Sequence, residues 1–281
     1  MRKQQILNRL SSPEELEAIR ESLIRSRDPD KTCIVICGGT GCLALGAEDV
    51  IAGFRREIQE RSLGAKVDLR ITGCPGFCER GPLVVIKPES ILYQRVRAED
   101  IPEIILETIK GNIVDRLLYI DPNTGEKIIH EHEVPFYKKQ KRLIIGDNSN
   151  IDPTMIEDYL AIGGYAALGK ALFKMSPEQI IEEAQKSGLR GRGGGGFPVG
   201  IKWESCRQAQ GDTKYIICNC DEGDPGAFMD RSLMEGNPHS VLEGMIIGAY
   251  AIGGHQGYIY IRNEYPLAVR NAQIAIKQAE E

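Results

Sequence analysis

The sequence predicts an α/β protein in two parts, on three observations. Runs rich in β-branched residues, TCIVIC near the start and KYIICNC and GYIYI in the second half, alternate with stretches of helical periodicity. Four cysteines form two close pairs, Cys37-x4-Cys42 and Cys74-x3-Cys78, in loops that follow predicted strands. Far downstream, Gly188 opens a glycine run, GLRGRGGGGFPVGIKW, between a capped helix and an apolar strand. At 281 residues there is room for about two domains, each with its own core.

The elements follow in order. Ser12 with Glu15 three residues on is a capping box, Pro13 suits a first turn, and Leu16, Ile19 and Leu23 recur at helical spacing, so a helix opens the chain and is expected to pack on the first domain. The strand TCIVICGG, a helix over about 47 to 59 and the alternating KVDLRITGC make a βαβ-like unit. PLVVIK and ILYQRV read as a hairpin across KPES, and AEDIPEIILETIKG as a helix ending at Gly111. The order β-α-β-β-β-α gives a small sheet covered by helices, with both cysteine pairs at one end. Residues 1–114 are thus expected to form the first domain. Residues 115–150 mix charge, Pro and Gly and read as a linker with little core of its own.

A second domain is expected over 151–281. Its first helical stretch is interrupted at Gly163-Gly164, and the next opens at Ser176-Pro177 and closes at Gly188. KYIICNC, the polar loop DEGDPGAFMD, the helix SVLEGMIIGAYAIGG, the strand GYIYIRNEY and a last helix over PLAVRNAQIAIKQAEE follow. That last helix carries no stop signal, so the domain is expected to continue beyond the sequence.

Charge and hydropathy narrow the classes of function. Forty acidic residues against 35 basic ones leave a net charge of -5, which gives no electrostatic footprint for nucleic acid. No stretch approaches the ~20 apolar residues a membrane span needs, and the N-terminus lacks the apolar run of a secretory signal. A cytoplasmic protein without direct membrane insertion is expected. Eight cysteines in a reducing compartment then point to metal or redox chemistry for the clustered ones.

Soft thiolates in fours hold zinc or iron-sulfur clusters, and the x4 and x3 spacings favour iron-sulfur over the tighter pairs usual for zinc. CIVICGGTGC followed by TGCPGFCERGPLVVI resembles the thioredoxin-like [2Fe-2S] ferredoxin domain. The resemblance implies that Cys37, Cys42, Cys74 and Cys78 are the cluster ligands. Cys33, on the incoming strand, is then structural, as are Cys206, Cys218 and Cys220. His239 and His255 lack a second ligand at metal spacing and are expected to be solvated or to cap a helix.

The glycine run lacks the Lys-Ser or Lys-Thr of a P-loop, and its setting is neither a low-complexity tail nor a basic one, so ATP hydrolysis and RNA binding are unsupported. The run, together with YIICNCDEGDPGAFMDRSLMEGNPHSVLEGMIIGAYAIGG and YIYIRNEYP, resembles the flavin domain of the NADH dehydrogenase 51 kDa subunit family. That resemblance implies FMN lined by Gly191, Arg192, Gly193 and Gly194, with Lys202 near flavin and dinucleotide. It also implies flavin contacts from Asn219, Asp221, Glu222 and Gly223 at the carboxyl end of a strand, where α/β sheets bind ligands. Phe197 would stack on a nicotinamide or adenine ring, with a core aromatic as the alternative. Asp224 stands where respiratory relatives often have glutamate.

An N-terminal ferredoxin domain joined to this flavin domain is similar to the NAD-linked subunits of multimeric [FeFe] hydrogenases and related bifurcating oxidoreductases. The implied activity is NAD(P)H oxidoreduction: hydride exchange between NAD(H) or NADP(H) and FMN, with single electrons passed to iron-sulfur clusters. No catalytic side chain is expected, because FMN carries the chemistry. The implied partners are other redox subunits and, in bifurcation, a ferredoxin. Family members also carry a C-terminal [4Fe-4S] motif, expected in a part not present here. The rival from another class is a non-catalytic electron carrier or scaffold built on a vestigial flavin fold.

Overall fold

The computed structural model describes residues 9–281 and divides into two compact units. The first helix, α1 (Pro13–Arg25), belongs to the second unit, so β1 (Thr32–Cys37) opens the first. Four strands follow the order β2-β1-β3-β4, with β2 (Val67–Thr72) parallel to β1. β3 (Val84–Lys87) runs antiparallel to β1 and forms a hairpin with β4 (Ile91–Tyr93). Between β1 and β2 lie a single turn, α2 (Thr40–Leu43), and α3 (Ala47–Glu60); α4 (Ile101–Ile109) closes the sequence-predicted β-α-β-β-β-α order.

Period-two alternation sends Ile34, Ile36, Val84 and Ile86 to one face, where Phe54 of α3 and Ile101, Ile104 and Ile105 of α4 cover them. Each such side chain contributes on the order of 1.5–3 kcal/mol on full burial. Val35, Cys37, Val85 and Leu92 face the other way.

That opposite face is covered by the stretch 115–150, which the sequence presents as a linker and the structure shows to be part of the domain. Residues 115–150 belong to the first unit; Tyr119, Val134 and Tyr137 are buried on this face, and Leu117 and Leu118 join the core on the other. The segment contains two paired two-residue strands, β5 (Tyr119–Ile120) and β6 (Lys127–Ile128), and one turn of helix, α5 (Pro135–Lys138). Elements this short generate no hydrophobic periodicity, so composition alone makes the segment resemble a connector. Ser232–Asn237 complete the first unit from far along the chain.

In the second unit, α1 packs on α6 (Ile156–Ala161) and α7 (Ala166–Lys174), not on the first domain as expected. Its apolar stripe specifies that a partner exists, not which one. The cap is nearly as predicted: Ser12 Oγ accepts from Glu15 N at 3.2 Å, but Glu15 reaches back to Ser11 N at 2.7 Å. The break between α6 and α7 is enforced at Gly164, where an added Cβ would come 2.1 Å from the Tyr159 ring. α8 (Pro177–Ser187) has a reciprocal Ser176–Gln179 capping box and stops at Gly188, φ +66°.

After α9 (Val199–Gln208) come β7 (Tyr215–Cys220), α10 (Met229–Gly236), α11 (Pro238–Ile252), β8 (Gln256–Ile261) and α12 (Pro266–Glu280). β7 and β8 are parallel. The sequence does not announce α9, whose apolar Val199, Ile201 and Trp203 recur every second residue, nor the eight-residue α10. His239 is buried, which corrects the expectation of a solvated or capping residue. It shares a hydrogen bond with the Tyr165 hydroxyl through Nδ1 at 2.8 Å, and its Nε2 lies 3.1 Å from Gln278 Oε1. Burial holds its pKa below the usual histidine range.

Candidate functional site

The first site sits at the carboxyl ends of β1 and β2. Cys37 is the last residue of β1, Cys42 lies in α2, and Cys74 and Cys78 occupy the loop after β2. Parallel pairing brings the two ends side by side: Cys37 registers with Thr72, and Gly38 N donates to Thr72 O at 2.8 Å. Cys74 Sγ stands 3.3 Å from Cys78 Sγ, and Cys37 hydrogen-bonds with both Cys42 and Cys74. The four thiols therefore form one connected series. Gly76 N donates to Cys74 Sγ at 3.3 Å.

Glycines make this approach sterically feasible. A Cβ at Gly39 would fall 2.9 Å from Cys74 Cβ, one at Gly41 3.0 Å from Cys78 Sγ, and one at Gly81 2.8 Å from Cys42 Sγ. The contact at Gly39 is with atoms fixed to the backbone, so nothing can swing away. Replacing Gly39 with valine is expected to prevent the cysteine loops from closing and to lower the iron bound per purified chain.

The segment 115–150 walls the cysteine loop. Phe77, between Cys74 and Cys78, stacks on Phe136 with centroids 4.4 Å apart and meets Tyr137 edge-on at 5.6 Å. Arg142 donates to Pro75 O at 3.2 Å. The sulfurs thus lie in a low-dielectric pocket, where neighbouring thiols and burial push Cys37 well above the usual thiol range. Cys42, hydrogen-bonded to Cys37, is lowered. One ionised thiol of the pair opposes the other, and a bound cation relieves that opposition.

The second site is built around the glycine run. Gly191 N donates to Phe197 O at 2.9 Å and Val199 N to Leu189 O at 2.8 Å, which closes a loop whose tip is 192–196. Cβ atoms added at Gly193, Gly194 or Gly195 would meet nothing within 4 Å, and Gly194 and Gly196 have φ of +90° and +58°. The tip is therefore open backbone in a left-handed conformation that favours glycine. One turn into α9, Lys202 Nζ would lie 3.1 Å from a Cβ at Gly191. Arg192 is exposed, and so is Phe197, at 51%. Its exposure removes the alternative of a core aromatic.

Asn219 lies near the end of β7, and its Oδ1 accepts from Asp221 N at 3.0 Å. Asp221 accepts from Arg262 Nε at 2.5 Å, just past β8. The Glu222 carboxylate accepts from Met229, Asp230 and Arg231 N at 2.6, 2.9 and 3.1 Å, so it caps α10. Its own carbonyl accepts from the Tyr265 hydroxyl at 2.8 Å. A Cβ at Gly223 would come 2.5 Å from Arg262 Nη2, and Asp224 is exposed in the following turn. Asp221 and Glu222 thus shape the acidic loop internally; the sequence identifies the loop but not Arg262 or Tyr265. Cys218 and Cys220 share a strand face, with sulfurs 3.5 Å apart.

The stretches of chain that carry these two candidate sites match known families. Residues 22–109 match the family described as thioredoxin-like [2Fe-2S] ferredoxin, and residues 184–281 match the Nuo51 FMN-binding domain. The chain is a thioredoxin-like [2Fe-2S] domain followed by a Nuo51 FMN-binding domain. Among similar proteins, the NADP-reducing hydrogenase subunit HndC of Solidesulfovibrio fructosivorans is 51% identical over 144 residues, 51% of this chain and 29% of that one. An NADH-quinone oxidoreductase subunit of Aquifex aeolicus is 53% identical over 125 residues, 44% of this chain and 29% of that one. The matches thus span under a third of these relatives' length. A solved thioredoxin-like [2Fe-2S] ferredoxin from Aquifex aeolicus is 30% identical over 31% of this chain and 88% of that one, with a TM-score of 0.29.

The ferredoxin domain's four thiols fit their group. Among the described residues, no three His, Cys, Asp or Glu side chains converge on a single-ion site. Two linked cysteine pairs are what a two-iron centre requires, with thiolates as its natural donors. The FMN-binding domain also fits its group: an unobstructed glycine backbone beside a lysine ammonium can take a phosphate or the edge of a flat ring. No helix among the described residues is long and apolar enough to cross a membrane.

Proposed function

We propose that this protein is the nicotinamide-oxidising subunit of a multisubunit redox complex, taking electrons from NADH or NADPH and passing them one at a time to iron-sulfur centres. The observation that carries this reading is one chain holding both a four-thiol site and an open glycine loop backed by a lysine. FMN supplies the chemistry: it takes two electrons as hydride and releases them singly.

The protein residues bind and position. In this reading Gly191, Gly193 and Gly194 offer backbone amides, and Arg192 and Lys202 offset phosphate or ring charge. Asn219 and Gly223 bound the flavin from the end of β7. Asp221 and Glu222, committed to Arg262 and to the start of α10, hold that end in shape. Phe197, half in solvent, is available to stack on the dinucleotide, and the exposed Asp224 would help hold it. Cys37, Cys42, Cys74 and Cys78 bind the [2Fe-2S] cluster. The protein works in the cytoplasm with other redox subunits, of the hydrogenase or quinone-reductase kind suggested by its relatives' names.

Replacing Lys202 with glutamine removes a charge-assisted contact of about 1.5–3 kcal/mol, a loss of roughly ten- to a hundred-fold in FMN affinity. Flavin fluorescence during dilution of the purified protein measures that affinity. Retention equal to the unsubstituted protein would contradict the assignment of Lys202.

A further inference from the structure

The loop between the first two cysteines, Gly38-Gly39-Thr40-Gly41, lies close to both ligand pairs. The nearest neighbour of a Cβ at Gly39 is Cys74, and of one at Gly41 is Cys78, so Thr40 sits between two points of contact with the opposite pair. Thr40 is held from 195 residues away. Its backbone N–H donates to Glu235 Oε2 at 3.0 Å and its hydroxyl to Glu235 Oε1 at 2.5 Å. Glu235 is 2% exposed and belongs to the same unit as the cysteines.

A second contact reaches the other ligand loop. Gly73, directly before Cys74, approaches Gly236 so closely that an added Cβ would stand 2.4 Å from Gly236 Cα. Asn148, fully buried, secures this junction by donating from Nδ2 to Ser232 O at 2.8 Å. Residues 235 and 236 therefore touch both cysteine loops, and the one charged side chain they bring is a carboxylate.

We infer that Glu235 is a positioning residue for the [2Fe-2S] cluster that fixes the Thr40 loop and sets the cluster's reduction potential with its buried negative charge. The inference rests on the four-cysteine cluster site proposed above. Both carboxylate oxygens accept hydrogen bonds from Thr40. A buried anion beside a cluster that gains an electron opposes reduction, because little water screens it. A helix-capping role alone would leave the potential unmoved when the shape is conserved.

The test is a redox titration of the cluster by EPR in the anaerobically purified holoprotein, with circular dichroism of the oxidised cluster as a check on its surroundings. Glu235→Gln keeps the shape and removes the charge; it is expected to favour the reduced cluster at least tenfold, which is a rise of about 59 mV for a one-electron couple. Glu235→Asp, which keeps the charge, is expected to stay within twofold of the unsubstituted protein. Thr40→Val keeps the charge and removes one donor that offsets it, so it is expected to favour the oxidised cluster. Should Glu235→Gln not fold, the sign of the Thr40→Val shift decides. A shift below twofold in Glu235→Gln, or a rise in potential in Thr40→Val, overturns the inference. Absence of any [2Fe-2S] signal from the unsubstituted protein would instead overturn the cluster reading on which it stands.

Discussion

Replacing Cys74 with serine is expected to abolish the [2Fe-2S] EPR signal while leaving flavin content unchanged. Cys74 links the two pairs: its sulfur lies 3.3 Å from Cys78 and hydrogen-bonds with Cys37, and it accepts from Gly76 N. Serine keeps the shape, but its hydroxyl is a far poorer donor to iron than a soft thiolate. The glycine loop proposed to hold FMN lies in the other compact unit, so flavin content reports whether the remainder of the chain is folded. Iron content and flavin absorbance on one sample measure both quantities. Cluster and flavin lost together would indicate unfolding; a retained, full-strength signal would contradict the ligand assignment.

Replacing Glu243 with alanine is expected to destabilise the second unit by about 3 kcal/mol or more. The carboxylate is buried and accepts from Tyr159 Oη at 2.5 Å, Tyr165 N at 2.8 Å and Leu168 N at 2.9 Å. It thereby caps α7 and fixes Tyr165 at φ +62° across the α6–α7 break. Each buried donor left unsatisfied costs about 1–3 kcal/mol. A loss near 3 kcal/mol lowers the midpoint of a unit of this size by roughly 10 °C. Differential scanning calorimetry checks the value, and a shift below about 2 °C would mean that water or a neighbour replaces the carboxylate.

These two residues differ in how far the sequence exposes them. Cys37, Cys42, Cys74 and Cys78 are legible because each pair lies within a few residues and follows a run of β-branched side chains. The glycine loop is legible because a capped helix precedes it and no P-loop lysine-serine follows. Glu243 and Glu235 are not, because their partners lie 84 and 195 residues away and nothing local marks a helix glutamate as a buried acceptor. The acidic loop is an intermediate case. Its composition points to a binding role, but the Glu222 carboxylate is occupied at the start of α10 and Asp221 by Arg262. Residues 115–150 show the same limit: Tyr119, Phe136 and Tyr137, which wall the cysteine loop, are isolated aromatics in a polar stretch, and only the fold gathers them around Phe77.

The proposed function depends on connecting the two candidate sites, and adding NADH or NADPH to the anaerobically purified protein tests that connection most directly. FMN is assayed on the sample, and EPR spectra are recorded before and after the addition. The predicted result is bound FMN and a new [2Fe-2S] signal that disappears in the Cys74→Ser protein. Bound FMN with no cluster signal after either nucleotide, in a sample whose cluster dithionite does reduce, would contradict the proposed route from nicotinamide to cluster.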